Sequence, residues 1–185
     1  NGVSPYTFFY NLNGGATQTI TSTGNTATIT ISTAIAGSFT YNLLGVSDAS
    51  VSNCFQSQTG SAIVTINPLP IATISGTTAT CVNSIQPLVT FQGSNGTAPF
   101  TFTYSINNGP SQIIMSNTAG TAFINVPTTQ AGTFTYTLIS VQDASSTMCS
   151  QVQSGSVVIT INPLPTATIS GTTTRCQNTT SPTIT

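Results

Sequence analysis

A chain of 185 residues carries three charged side chains, Asp48, Asp143 and Arg175, for a net charge of −1. That is 2% of the residues, against about 25% in ordinary globular proteins, and it excludes the clustered Lys and Arg that nucleic acid or anionic lipid would need. No apolar run approaches the roughly 20 residues that span a bilayer, and 38% hydrophobic content at near-zero net charge is not the signature of disorder.

From the start of the chain, Tyr6, Phe8, Tyr10 and Leu12 alternate with smaller residues, which is strand periodicity. Ala27, Ile29 and Ile31 alternate next, and Gly37-Ser-Phe-Thr-Tyr-Asn-Leu43 adds an inward series of Phe, Tyr and Leu. After Asp48-Ala-Ser and Cys54 the chain reaches Ile66-Asn67-Pro68-Leu69-Pro70. There the pattern begins again. Ala72–Ser75 and Pro87–Phe91 read as strands, followed by a Gly-Ser-Asn-Gly turn at Gly93–Gly96. Phe100, Phe102, Tyr104 and Ile106 share one face of the clearest strand, and Asn107-Asn108-Gly109 turns the chain into a weaker one at Ser111–Met115. Ala122, Ile124 and Val126, then Gly132–Leu138, then Val157–Ile161 complete the set. Nothing has helical period, and β-branched residues are frequent.

The motif at Ile66 returns 95 residues later as Ile161-Asn162-Pro163-Leu164-Pro165, and Ala72–Thr78 returns as Ala167–Thr173. A fixed period is the first thing to settle about such a chain. Asn1-Gly2 matches Asn95-Gly96, a one-residue length change falls near Gly15, and Thr185 matches Thr90. The expected domains are therefore 1–69, a repeat lacking its first strands; 70–164, a complete repeat; and 165–185, the first strands of a third. Either these residues are a window on a longer tandem array, or the terminal segment of one molecule completes the first repeat of the next. The window is the expected arrangement. About seven short strands per period predict an all-β fold of tandem immunoglobulin-like two-sheet β-sandwich repeats. Each buried Phe, Tyr, Leu, Ile or Val would contribute roughly 1.5–3 kcal/mol.

The joints Asn67-Pro68-Leu69-Pro70 and Asn162-Pro163-Leu164-Pro165 have a physical role. Proline fixes φ and biases the residue before it toward extended conformations, so the joint leaves the last strand stiff and straight. A Gly/Ser connector would coil instead. Sandwiches joined this way form a rod.

The cysteines, Cys54, Cys81, Cys149 and Cys176, obey the same period. With no Cys-x-x-Cys and no histidine, disulfides are a better reading than zinc, and disulfides imply an oxidising, extracellular setting. Cys81–Cys149 lies inside one complete repeat and is the expected bond, because a repeat that folds alone should carry its own staple. Cys54 and Cys176 then pair outside residues 1–185. The other pairing, Cys54–Cys81 with Cys149–Cys176, would span the joints.

Asp48 and Asp143 occupy the same Asp-Ala-Ser; one carboxylate per repeat is too few for calcium, so each is expected to accept backbone N–H groups in a turn. Arg175 has no counterpart and reads as a surface residue. Isolated aspartates, with no His, Glu or Lys, leave no general base and nothing to activate a hydroxyl nucleophile, so neither an enzyme nor a cofactor or metal is expected. Asn95-Gly-Thr and Asn178-Thr-Thr are glycosylation sequons that do not repeat. Phe9 and Phe123 break the alternation and are candidates for exposure.

The run Ile161-Asn-Pro-Leu-Pro-Thr-Ala-Thr-Ile-Ser-Gly-Thr-Thr, the strand Ala131-Gly-Thr-Phe-Thr-Tyr136, and Asp143-Ala-Ser before Cys149 resemble tandem immunoglobulin-like or PKD-like repeats. Such repeats build large surface proteins of Bacteroidota, including gliding-motility adhesins. The resemblance implies export to the cell surface, usually by a type IX route, and a stalk or adhesin role without catalytic residues. The expected function is a structural segment of an extracellular filament or adhesin stalk. Its expected partners are neighbouring repeats of the chain and homotypic contacts favoured by a nearly uncharged surface. A glycan- or surface-binding module is the alternative from another class, pointed to by the difference between Ala16–Asn25 and Pro110–Gly120. A head-to-tail strand-donating fibre subunit is a third.

Overall fold

A computed structural model describes residues 2–184, and every regular element among them is a β-strand. Asn1 and Thr185, which close the phase comparison above, lie outside the described residues.

The first four strands make one antiparallel sheet. They are β1 (Thr7–Leu12), β2 (Thr17–Thr21), β3 (Gly37–Ser47) and β4 (Phe55–Ile66), in the order β2-β1-β3-β4. Tyr10 lies opposite Leu43 and Phe8 opposite Val46, with a register shift between Phe9 and Tyr10. The other side of β3 shifts between Leu43 and Gly45. A Cβ on Gly45 would meet the ring of Phe55, which would have to swing aside, and would lie 3.0 Å from the Gln56 carbonyl oxygen. That ring also meets Phe9 edge to face, 5.3 Å between centroids at 82°.

After the Pro-Leu-Pro joint come β5 (Ile71–Ser75), β6 (Thr78–Cys81), β7 (Leu88–Ser94), β8 (Thr101–Ile106), β9 (Gln112–Met115), β10 (Thr121–Asn125), β11 (Gly132–Gln142), β12 (Ser150–Val152) and β13 (Ser156–Asn162). One sheet has the order β10-β7-β5 and the other β6-β13-β11-β8-β9, with β12 pairing β11. β6 joins β13 in parallel, and every other strand pairing among the described residues is antiparallel. Val89 and Phe91 from one sheet pack against Phe102, Tyr104, Leu138, Ile159 and Ile161 from the other, all buried. Phe91 stacks 5.6 Å from Phe102 and 5.2 Å from Tyr104. The sequence alternation produces this core directly: β7 buries every second residue, and so does β13.

Strands β1, β2, β3 and the end of β4 correspond in sequence and pairing to β8, β9, β11 and β13. The length change does not fall near Gly15. Ser22 Oγ accepts the N–H of Tyr6 at 2.7 Å and Ser116 Oγ that of Phe100 at 2.7 Å, still 94 apart. The change sits in the turn that follows, Gly24–Asn25 against Thr118–Gly120.

Two expected strands are not formed. Ala27–Ile31 has no strand pairing, although its counterpart Ala122–Asn125 pairs with β7. Residues 165–184 are exposed with no regular structure, although their sequence repeats β5 and β6. Alternation gives a segment the right side chains, but a strand also needs a neighbour's N–H and C=O groups. The strand at Pro87–Phe91 in turn runs on through Gly93 and Ser94, so the turn is confined to Asn95-Gly96. β6 and β12 are strands that alternation did not announce.

Candidate functional site

Two features stand out: the joint between the first sheet and the sandwich, and the uncovered face of the first sheet.

The joint has little slack. Pro70 is fully buried and β5 begins at the next residue. Asn67 Nδ2 donates to Thr147 Oγ1 at 2.8 Å, Asn95 Nδ2 donates to the Leu69 carbonyl at 2.9 Å, and Gln153 Oε1 accepts the Ala72 N–H at 3.2 Å. Asn95 sits at φ 58°, a left-handed conformation that Asn tolerates well, and this aims its amide back at the joint. The nitrogen that a glycan would take on Asn95 is the one holding Leu69. Of the second joint, Asn162 closes β13 and residues 163–165 are exposed.

The uncovered face of the first sheet is an apolar groove of about 490 Å³, lined by Phe8, Tyr10, Ile29, Tyr41, Leu43 and Ala62 among others. In the sandwich the counterparts Phe102, Tyr104, Tyr136 and Leu138 are at most 7% exposed, because β5, β7 and β10 cover them. In the first sheet those four positions are only half-buried. Nothing in the sequence of 1–69 betrays this, since the alternation is the same whether or not a second sheet is present.

Asp48 and Asp143 hold turns. Asp143, 4% exposed, accepts the Thr97 N–H at 3.1 Å on one oxygen and the Ser145 hydroxyl at 2.8 Å on the other. Asp48 does the same with Val3 at 3.1 Å and Ser50 at 2.7 Å, and also accepts the Cys54 N–H at 2.9 Å. For Asp143 burial opposes the charge, but hydrogen bonds from Thr97, Ser145 and Cys149 outweigh it and hold the carboxyl below its ordinary range. For Asp48 the Ser50 hydroxyl leads, followed by the N–H of Val3, and the direction is again downward. Among the described residues no three acidic or cysteine side chains gather as a metal site.

Lowered carboxylate values stabilise the fold above the ordinary aspartate value of 3.8, and the gain is lost as pH falls through the depressed folded values. Thermal melting followed by circular dichroism should therefore be flat between about pH 5 and 7 and decline only below about pH 4. Asp143→Asn should shrink that acid limb. A melting temperature that climbed steadily from pH 5 to 7 would contradict it.

The expected Cys81–Cys149 bond is not formed: all four cysteines are free. Cys81 pairs with Asn162 at one end of the sandwich. The Cys149 carbonyl accepts the N–H of Asp143 at the other end. Between them lies β11, 11 residues long, or roughly 30 Å at a strand's rise per residue. Bridged cysteines need Cα atoms within about 7 Å. A repeat that folds alone was expected to carry its own staple, but its two cysteines stand at opposite ends of β11, out of each other's reach.

Cys149 instead belongs to the joint, with Thr147 Oγ1 3.1 Å from its sulfur and Asn67 on Thr147. Phe123 is exposed as expected at 52%. Phe9 is half-covered by Phe55. Arg175 and Asn178 are exposed. Comparison with known protein families and with curated proteins finds no match.

Proposed function

We propose that this chain is a segment of a stiff extracellular rod, built of immunoglobulin-like sandwich modules about 95 residues long, that serves as an adhesin stalk or surface filament. The observation that carries the reading is the joint: a buried Pro70 and hydrogen bonds to Asn67, Leu69 and Ala72 leave no free residue between one sheet and the next. Two prolines in Asn-Pro-Leu-Pro supply the stiffness, and three side-chain contacts set the angle. The mechanical task needs no catalytic group, and the chain's sparse charge suits polar packing of Thr- and Asn-rich faces against neighbouring rods. Export to a cell surface is consistent with the family resemblance of the repeated motifs.

Small-angle scattering tests the stiffness. The native chain should give one extended particle of narrow shape distribution, and a Gly-Ser-Gly-Ser insertion between Pro68 and Leu69 should broaden that distribution toward bent forms. Identical, broad distributions for both would remove the rod reading. Selective binding on a glycan array would replace it with a ligand-binding module.

A further inference from the structure

The complete repeat carries two cysteines, and they stand at its opposite ends, each beside the asparagine of an Asn-Pro-Leu-Pro joint. We propose that a disulfide crosses the joint wherever one complete repeat follows another, linking the cysteine of β6 in the first to the cysteine that precedes β12 in the second. The inference rests on the reading of the chain as repeats in series and adds a covalent clasp to their joint.

The sandwich shows both halves of such a joint. At its far end Cys81 lies opposite Asn162, where β6 adds in parallel to β13, and the Val82 N–H donates to the Asn162 carbonyl at 2.9 Å. Residues directly opposed on neighbouring strands point to the same face of a sheet, so the thiol of Cys81 shares a face with the side chain of Asn162. At its near end the sandwich meets the joint before it. There Asn67 Nδ2 donates to Thr147 Oγ1 at 2.8 Å, and the same hydroxyl lies 3.1 Å from Cys149 Sγ. Asn67 and Asn162 are one position of the repeat. Superposing them brings the thiol of β6 and the thiol of Cys149 to one face of one joint, with a single threonine hydroxyl between the asparagine and the second sulfur. Cys81 and Cys149 of the same repeat cannot meet, because the length of β11 separates them.

The turn that presents Cys149 recurs in the first repeat. The Asp143 N–H donates to the Cys149 carbonyl at 3.0 Å, and the Asp48 N–H to the Cys54 carbonyl at 3.1 Å. Ser145 and Ser50 hold the two carboxylates at 2.8 and 2.7 Å. Ser52, the counterpart of Thr147, lies 3.5 Å from the sulfur of Cys54. Cys149 is half-buried and Cys81 exposed, so a small oxidant reaches both. The bond forms as two thiols lose two protons and two electrons, with a small-molecule disulfide such as oxidised glutathione reduced to two thiols in exchange. It turns a joint held by hydrogen bonds into one that carries tension.

A chain lengthened by one repeat tests the clasp. Residues 1–164 are followed directly by residues 70–185, which rebuilds Asn-Pro-Leu-Pro at the new joint and gives each copy of 70–164 its own core. Cys54→Ser and Cys176→Ser leave two thiols in each copy. After dilute treatment with oxidised glutathione and then alkylation, two of the four thiols should be lost to one Cys81–Cys149 bond, at the mass of a single chain. Cys81→Ser in the first copy, or Cys149→Ser in the second, should abolish that bond. The same substitutions made in the opposite copies should leave it intact, and Cys81 is exposed, so its serine variant keeps the fold. Four thiols still open to alkylation, or a bond that disappears with Cys149→Ser in the first copy, would overturn the proposal. Small-angle scattering of the reduced chain reads the joint with no bond present. A narrow shape distribution there, with no bond on oxidation, would leave the rod standing and remove the clasp alone.

Discussion

Phe91→Ala should destabilise residues 70–164 by about 3–5 kcal/mol. Phe91 has no exposed surface and lies on β7, the middle strand of its sheet. Its Cα is opposite Ala122 on one side and Ile74 on the other. Its ring reaches across to Phe102 and Tyr104 in the facing sheet. Truncation would remove the main contact between the two sheets and leave a cavity lined by aromatic rings, which cannot collapse into it. Urea unfolding followed by near-ultraviolet circular dichroism reads this out, because Tyr104 and Tyr136 stack 6.4 Å apart beside the same cavity. Phe123, on the outer side of β10 and 52% exposed, is the control. Its replacement by alanine should change stability by no more than about 0.5 kcal/mol. A loss below about 1 kcal/mol for Phe91→Ala would mean that the sheets are held together elsewhere.

The second large effect comes from a single methyl group. Gly76 connects β5 to β6, where the chain leaves one sheet and crosses to the other, and its φ of 127° lies where only glycine is comfortable. A Cβ there would overlap the carbonyl oxygen of Leu88 and come within 3.2 Å of the Val89 Cα. β7 cannot retreat, because Val89 and Phe91 are packed in the core. Backbone strain and overpacking together should destabilise Gly76→Ala by about 3 kcal/mol, measured in the same urea experiment. Gly171 repeats Gly76 in sequence and in φ, at 121°, yet a Cβ on it meets nothing closer than 3.9 Å. Gly171→Ala should therefore be silent in the stability of the chain. A chain destabilised as much by Gly171→Ala as by Gly76→Ala would show that residues 165–184 are packed.

Much of the fold could be read from alternation. The run from Phe100 to Ile106 became β8, Gly132 to Leu138 opened β11, and Ala72 to Ser75 became most of β5. The faces were legible too, since Phe102, Tyr104, Tyr136 and Leu138 all point into the core. β6 was not legible. Thr78-Ala-Thr-Cys81 is too short and its side chains too small to announce a strand, and it is one because β13 offers it an edge. The joint was half legible. Two prolines announced stiffness, whereas the clasp of Asn67 on Thr147 joins residues 80 positions apart, a distance no local pattern reports.

The amino-acid order alone was enough to establish an all-β chain, the inward faces of its strands and the phase at which its motifs return. Those properties come from side-chain periodicity, and periodicity is carried by neighbours along the backbone. Which segments found partners was a matter of three dimensions. Ala27–Ile31 and Ala167–Ser170 have strand-forming side chains but no strand to pair with. Cys81 and Cys149 share a repeat but stand at opposite ends of it, because β11 lies between them. Hydrogen bonding across a sheet and the reach of a disulfide are contacts between distant parts of the chain, and only the packed structure says which parts meet.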